Sequence, residues 1–157
     1  MIDFSPYIVD VTVKAFRSLE TDEYIIKQKR VMPPDHFQHN FGTVQIKLQR
    51  SAGHTLAALK LLLLFPNSKL LIPHDVLKRH TINYAASHFG EQMIDYMRKR
   101  LLAPHQLERF VCTQVDKLDM FIVDPYSAFE NDQRLDLDWY DELACIQYHS
   151  KMIVKLG

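Results

Sequence analysis

The spacing of apolar and polar positions divides the chain into alternating helical and extended segments. Ser5-Pro6 followed by Tyr7, Ile8, Val11 and Ala15 has helical spacing, with proline at the first helical position, where its missing N–H costs nothing. A second short helix is predicted from Thr21, with Asp22 and Glu23 in its first turn and Lys27, Lys29 and Arg30 toward its end, as the helix dipole favours. Pro33-Pro34 stops it and opens a loop. From Thr43 the pattern changes to strict alternation: Val44, Ile46 and Leu48 on one side, Gln45, Lys47 and Gln49 on the other, which is a strand. Residues 56–65 are strong helix formers ended by Pro66-Asn67, and Lys69-Leu70-Leu71-Ile72 is a short buried strand ended by Pro73.

Downstream, residues 75–102 predict one or two helices interrupted near Gly90, with Ile94, Met97 and Leu101 at helical spacing. Strands are expected at 109–113 and 120–123, a helix at 137–148, and a last strand at 151–156. Near-continuous apolar strands separated by helices imply an α/β fold, a three-layer sandwich with a mainly parallel central sheet covered on both faces. A single domain is expected, with residues 1–42 as a helical segment packed on a core formed by 43–157.

Composition sharpens this picture. The chain has 157 residues, 47% of them hydrophobic, enough for one domain with a substantial core and too apolar for a disordered chain. Nineteen basic residues balance nineteen acidic ones, which argues against coating nucleic acid or membrane through bulk charge. The balance is uneven along the chain: residues 1–109 carry 15 basic and 10 acidic side chains, residues 110–157 carry 4 and 9. Opposite charges neutralising each other across one fold explain that asymmetry, and so does a basic surface facing an anionic ligand. Cys112 and Cys145 form no Cys-x-x-Cys pair and read as reduced, partly buried thiols of an intracellular protein. The N-terminal stretch has neither a basic leader nor a long apolar run, so no signal peptide is expected. The most apolar run, residues 56–65, is about half the length of a membrane span and contains Lys60. A cytoplasmic chain without a membrane partner is the expectation.

The segment richest in chemistry is the strand, turn and helix over residues 43–65. In a parallel sheet such a junction aims the first amides of the helix at the crevice beyond the strand ends, where an anion is stabilised. Gly53-His54-Thr55 lies at this junction, within Arg50-Ser51-Ala52-Gly53-His54-Thr55. The arrangement resembles the Walker A loop, Gly-x-x-x-x-Gly-Lys-Ser/Thr, with Leu48 in place of the first glycine, His54 in the lysine position and Thr55 in the hydroxyl position. Without the lysine the ammonium that bridges the outer phosphates is missing, and Arg50 is the candidate replacement cation. Met120-Phe121-Ile122-Val123-Asp124 resembles Walker B, an apolar strand ending in the aspartate that holds Mg²⁺, so Thr55 and Asp124 are candidate metal ligands. The plain readings are a tight turn with a helix start for the first motif and an Asp-Pro turn for the second.

From Thr43 to Gly157 the chain thereby resembles the P-loop NTPases, and more narrowly the RecA-like ATPase cores of phage large terminases and of helicase superfamilies one and two. The post-loop strand Leu71-Ile72-Pro73-His74 and the last strand, where such cores carry a coupling motif, belong to the same resemblance. It implies ATP and Mg²⁺ as cofactors, contacts from Ser51, Ala52, Gly53, His54 and Thr55, and an adenine-reading role for Gln38 with Phe41 as stacking partner. It also implies a setting in viral or mobile-element DNA processing. Pro125 stands where a water-orienting glutamate normally follows the aspartate, and Glu130 is the nearest carboxylate downstream. An arginine finger would come from another protomer or a protein partner. A weak or conditional ATPase is therefore the expected activity.

Two alternatives stand beside it: a catalytically inactive relative serving as an interaction or regulatory protein, and a metal-dependent nuclease or hydrolase using Asp116, Asp119 or Asp124. Arg98-Lys99-Arg100 is a candidate nucleic-acid contact or a basic helix end complementing its own dipole. The acidic run 130–142 around Trp139 is a solvated face or a partner anchor. His36 and His39 read as solvated loop histidines, and nothing in the sequence brings His74, His80 and His88 together.

Overall fold

A computed structural model describes residues 2–49, 51–113, 116–130 and 149–157. Three helices come first, α1 Ser5–Thr21, α2 Glu23–Val31 and α3 Pro34–Asn40. Strand β1 Thr43–Ile46 then leads to α4 His54–Leu64 and β2 Ser68–Leu71. Helices α5 Asp75–Phe89 and α6 Met93–Arg98 precede β3 Leu101–Leu102, and α7 Leu107–Thr113 precedes β4 Leu118–Val123. Helix α8 Tyr126–Glu130 and strand β5 Ser150–Leu156 complete the described elements.

The five strands form one all-parallel sheet in the order β1-β5-β4-β2-β3. Both faces are covered, and strand alternation shows how. Leu70, Ile72, Leu101, Met120, Ile122, Met152 and Val154 pack with the buried leucines and alanines of α4 and with Ile82 and Ala85 of α5. The alternate residues Leu71, Leu102, Phe121 and Val123 face the other way, onto Leu107 and Phe110 of α7 and Phe129 of α8. Period-2 alternation between two apolar faces is what a sheet sandwiched between helices requires, so the chain is a three-layer α/β sandwich. Helix α4 is apolar nearly all round because α1 packs along its outer side, with Ile8 fully buried and Lys60 Nζ donating to Ser5 Oγ at 3.1 Å.

Several local expectations change. Residues 109–113, expected as a strand, belong to α7: Leu107, Phe110 and Val111 recur at helical spacing and place one apolar side against the sheet. The third strand is instead Leu101–Leu102, fixed by hydrogen bonds from Leu70 N to Arg100 O and from Ile72 N to Leu102 O. The loop expected around His36 and His39 is α3, because Pro34, which cannot continue α2, is well placed to start a new helix. Cys112, expected to be partly buried, is exposed. Cys145, Trp139 and the helix expected over 137–148 lie outside the described residues. Among the described residues, no helix is long and apolar enough to cross a membrane.

A candidate phosphate and metal cleft

Parallel strands bring their carboxyl ends to one edge of the sheet. Ile46 of β1 pairs with Leu156 of β5, Lys155 of β5 with Val123 of β4, and Val123 with Leu71 of β2. Beyond that row of residues lies a broad cleft of about 1360 Å³. It lies where ligands bind in open parallel sheets, outside the carboxyl ends of the strands.

The turn from β1 into α4 forms one wall. Ser51 and Gly53 both adopt left-handed backbone, φ +64° and +89°, so the chain folds tightly around Ala52 before α4 begins. Glycine is the natural occupant of the second position for two reasons: its φ suits few other residues, and a Cβ there would collide with the Asp3 carboxylate. The N-terminal segment clamps this turn from outside. Phe4 N donates to Ala52 O at 3.0 Å, and Asp3 accepts from Ser5 N at 2.8 Å and Ser5 Oγ at 3.0 Å, bonds that hold its carboxyl below the usual carboxylate range. The ladder of α4 begins with Ala57 N donating to Gly53 O, which leaves the amides of His54, Thr55 and Leu56 outside it at the cleft.

Thr55 and Asp124 meet at the floor. Thr55 Oγ1 donates to Asp124 Oδ2 at 2.8 Å across 69 residues of sequence. β1 and β4 are separated by β5, so the two motif strands stand two strand spacings apart, about 10 Å, and the start of α4 reaches back across that gap. Asp124 is 3% exposed. Burial pushes its carboxyl up from 3.8 to about 6, and the Thr55 hydroxyl offsets part of that rise. Gly157, at the end of β5, joins the same wall and donates its N–H to Ile46 O at 3.1 Å.

His54 is buried, its Nε2 has no hydrogen-bond partner among the described residues, and burial lowers its pKa, so it is a neutral imidazole at pH 7. It does not supply the positive charge that its place in the motif calls for. Ser51, Gly53, His54 and Thr55 all line the cleft with Asp124. Ala52 does not, being buried with its carbonyl taken by Phe4. Arg50 and the Glu130 side chain lie outside the described residues. Gln38 is not brought to the cleft: it sits near the end of α3, before β1, and its buried Nε2 donates to Gly42 O at 2.6 Å. That location is the amino end of the sheet, the length of a strand away from Thr55. Phe41 follows it there, packed on Phe37 with ring centroids 5.3 Å apart.

The opposite wall comes from α5 through Leu77, His80, Thr81 and Tyr84, of which the sequence points only to His80, as one of three histidines that nothing there brings together. Their i, i+3, i+4, i+7 spacing marks one helix face, the signal that could have found them. Only His80 of the three histidines 74, 80 and 88 lines the cleft: His74 caps α5 by accepting from Leu77 N at 3.2 Å, and His88 packs on Tyr84 with ring centroids 4.2 Å apart. Arg100 lies over the Tyr96 ring and donates to Pro66 O at 3.1 Å, and Arg98 pairs with Asp95 at 3.5 Å, so both have partners within the fold.

Among the described residues no three His, Cys, Asp or Glu gather as a metal-binding group, and Asp124 stands with a hydroxyl instead. Asp119 lies at the other end of β4, about 16 Å from Asp124 along the strand, paired with Lys151 at 3.2 Å. Comparison with protein-family models, with curated proteins and with solved structures finds no match for this chain.

Proposed function

We propose that the chain binds a nucleoside triphosphate with Mg²⁺ in the cleft at the carboxyl ends of the strands, and that hydrolysis there is weak or conditional. The observation that carries this reading is the Thr55–Asp124 contact: a hydroxyl at the start of a helix and a carboxylate at the end of a strand, joined at 2.8 Å beside a left-handed glycine turn. The fit is chemical as well as positional. A hydroxyl and a carboxylate are hard oxygen donors suited to Mg²⁺, which is commonly held by one or two protein groups together with substrate phosphates. Asp124 is a buried carboxylate whose charge is poorly compensated, and a bound cation would neutralise it along with the outer phosphates. The unladdered amides of His54, Thr55 and Leu56 suit a phosphate group.

What limits turnover is equally local. The neutral, buried His54 supplies no positive charge to the outer phosphates, and Pro125 stands where a water-orienting glutamate would follow Asp124, so neither motif carries its usual hydrolytic group. A second protomer, a protein partner or nucleic acid would complete the site, which agrees with the resemblance to terminase and helicase cores. Titration calorimetry with ATP and Mg²⁺ tests the reading: binding is expected, with Thr55→Ala and Asp124→Ala each weakening it by about tenfold or more. Absence of binding at millimolar nucleotide refutes it. A second reading, the inactive relative used for interaction, is favoured by the neutral His54. Any ATP turnover abolished by Asp124→Ala rules that one out.

A further inference from the structure

At the amino ends of the strands, away from the cleft, a smaller cavity of about 260 Å³ lies among α1, α2, α3 and the residues entering β4 and β5. Its floor is apolar, made by Phe16 and Leu19 of α1 and Phe37 of α3. Three lysines from separate parts of the chain converge on it: Lys29 from α2, Lys117 just before β4 and Lys151 in β5. Two carboxylates, Glu20 and Asp35, share the lining. Lys151 is paired with Glu20 at 3.6 Å and with Asp119 at 3.2 Å, and Asp35 lies 3.9 Å from His36. Lys29 and Lys117 enter none of the ion pairs formed among the described residues. Burial, then repulsion from Lys29 and Lys151, lowers the Lys117 pKa, so these lysines stand close enough to Lys117 for their charges to repel it.

An apolar floor beneath uncompensated ammonium groups is complementary to a ligand that is apolar at one end and anionic at the other. We propose that this cavity binds a small amphipathic anion, an aromatic group carrying one phosphate or carboxylate, with its ring against Phe16, Leu19 and Phe37 and its charge between Lys29 and Lys117. The volume lies just under the range usual for small-molecule pockets, which restricts the ligand to about one ring and its charged substituent. The floor excludes a fully polar ion as the best occupant, and the lysines exclude a neutral hydrocarbon. This site is independent of the nucleotide reading, since it shares no lining residue with the cleft.

The test uses the full chain and four probes: phenyl phosphate, benzoate, inorganic phosphate and benzyl alcohol, titrated by calorimetry and followed by NMR shifts at Phe37. Phenyl phosphate or benzoate is expected to bind at least about tenfold tighter than either inorganic phosphate or benzyl alcohol, because only they use both halves of the site. The tighter of the two tells phosphate from carboxylate. Lys29→Gln with Lys117→Gln should weaken that probe by about tenfold or more while circular dichroism shows the fold retained. Thr55→Ala should leave it unchanged. The proposal is overturned if inorganic phosphate binds as well as phenyl phosphate and benzoate, if the folded double-lysine variant binds undiminished, or if Thr55→Ala abolishes binding, which would move the site to the cleft.

Discussion

Replacing Asp124 by Asn should make the protein more stable and less able to bind nucleotide, and the gain should depend on pH. Asp124 is 3% exposed and its carboxyl is pushed up to about 6 by burial, against 3.8 when free. The folded state therefore prefers the protonated acid. The stability this residue contributes is fully present below pH 3.8 and is lost as pH rises through about 6. By pH 8 the ionised carboxylate costs the fold about 3 kcal/mol relative to the unfolded chain, whereas at pH 4 the cost is under about 1 kcal/mol. Asparagine has nearly the same shape, carries no charge and still accepts from Thr55 Oγ1. Urea unfolding of both proteins from pH 4 to pH 8 is the assay, since titration of every other group cancels in the difference. The advantage of Asp124→Asn should grow by about 2 kcal/mol across that range, a rise of several degrees in Tm for a domain of this size. In the same variant, Mg²⁺-dependent ATP binding should fall, because an oxygen anion is lost from the site. A difference that stays flat with pH, or a variant less stable at pH 8, would refute the claim that Asp124 is held as a costly buried charge.

Three further outcomes follow from the same geometry. Thr55→Val removes the hydroxyl whose hydrogen bond lowers the Asp124 pKa, so carboxyl-carbon NMR should show titration shifted above 6, with a stability loss of about 1–3 kcal/mol at pH 8. Gly53→Ala should cost about 1–2 kcal/mol for a left-handed backbone plus displacement of Asp3; combined with Asp3→Ala, denaturation should recover only the displacement part. His54→Lys restores the ammonium of the Walker pattern and should tighten ATP binding by about tenfold in calorimetry; unchanged affinity would argue against phosphate at the start of α4.

Much of the sheet was legible because its signals are local. Residues 43–46, 68–71, 118–123 and 150–156 are apolar runs or alternations bounded by turn residues, and each is a strand. Strand β3 escaped because two residues carry no period; hydrogen bonds to Leu70 and Ile72 define it. Phe110 and Val111 favour strands by type, yet Leu107, Phe110 and Val111 become one helical face because the sheet offers Leu71, Phe121 and Val123 to pack against. Gln38 resembled a base-reading glutamine because its position before β1 fitted. A parallel strand, however, carries whatever precedes it to the amino end, away from the cleft, and there Gly42 takes its amide.

The sequence by itself determined the periodicities, the mainly parallel α/β architecture and the two short motifs that end in Thr55 and Asp124, since each depends on neighbours along the chain. Only the tertiary structure decided that β5 lies between β1 and β4, that Thr55 and Asp124 touch, and that burial makes Asp124 a weaker acid and leaves His54 neutral. It alone brought Lys29, Lys117 and Lys151 to one apolar cavity. The reason is physical: strand order, desolvation and the summing of charges depend on which distant segments pack together, and no local pattern records that.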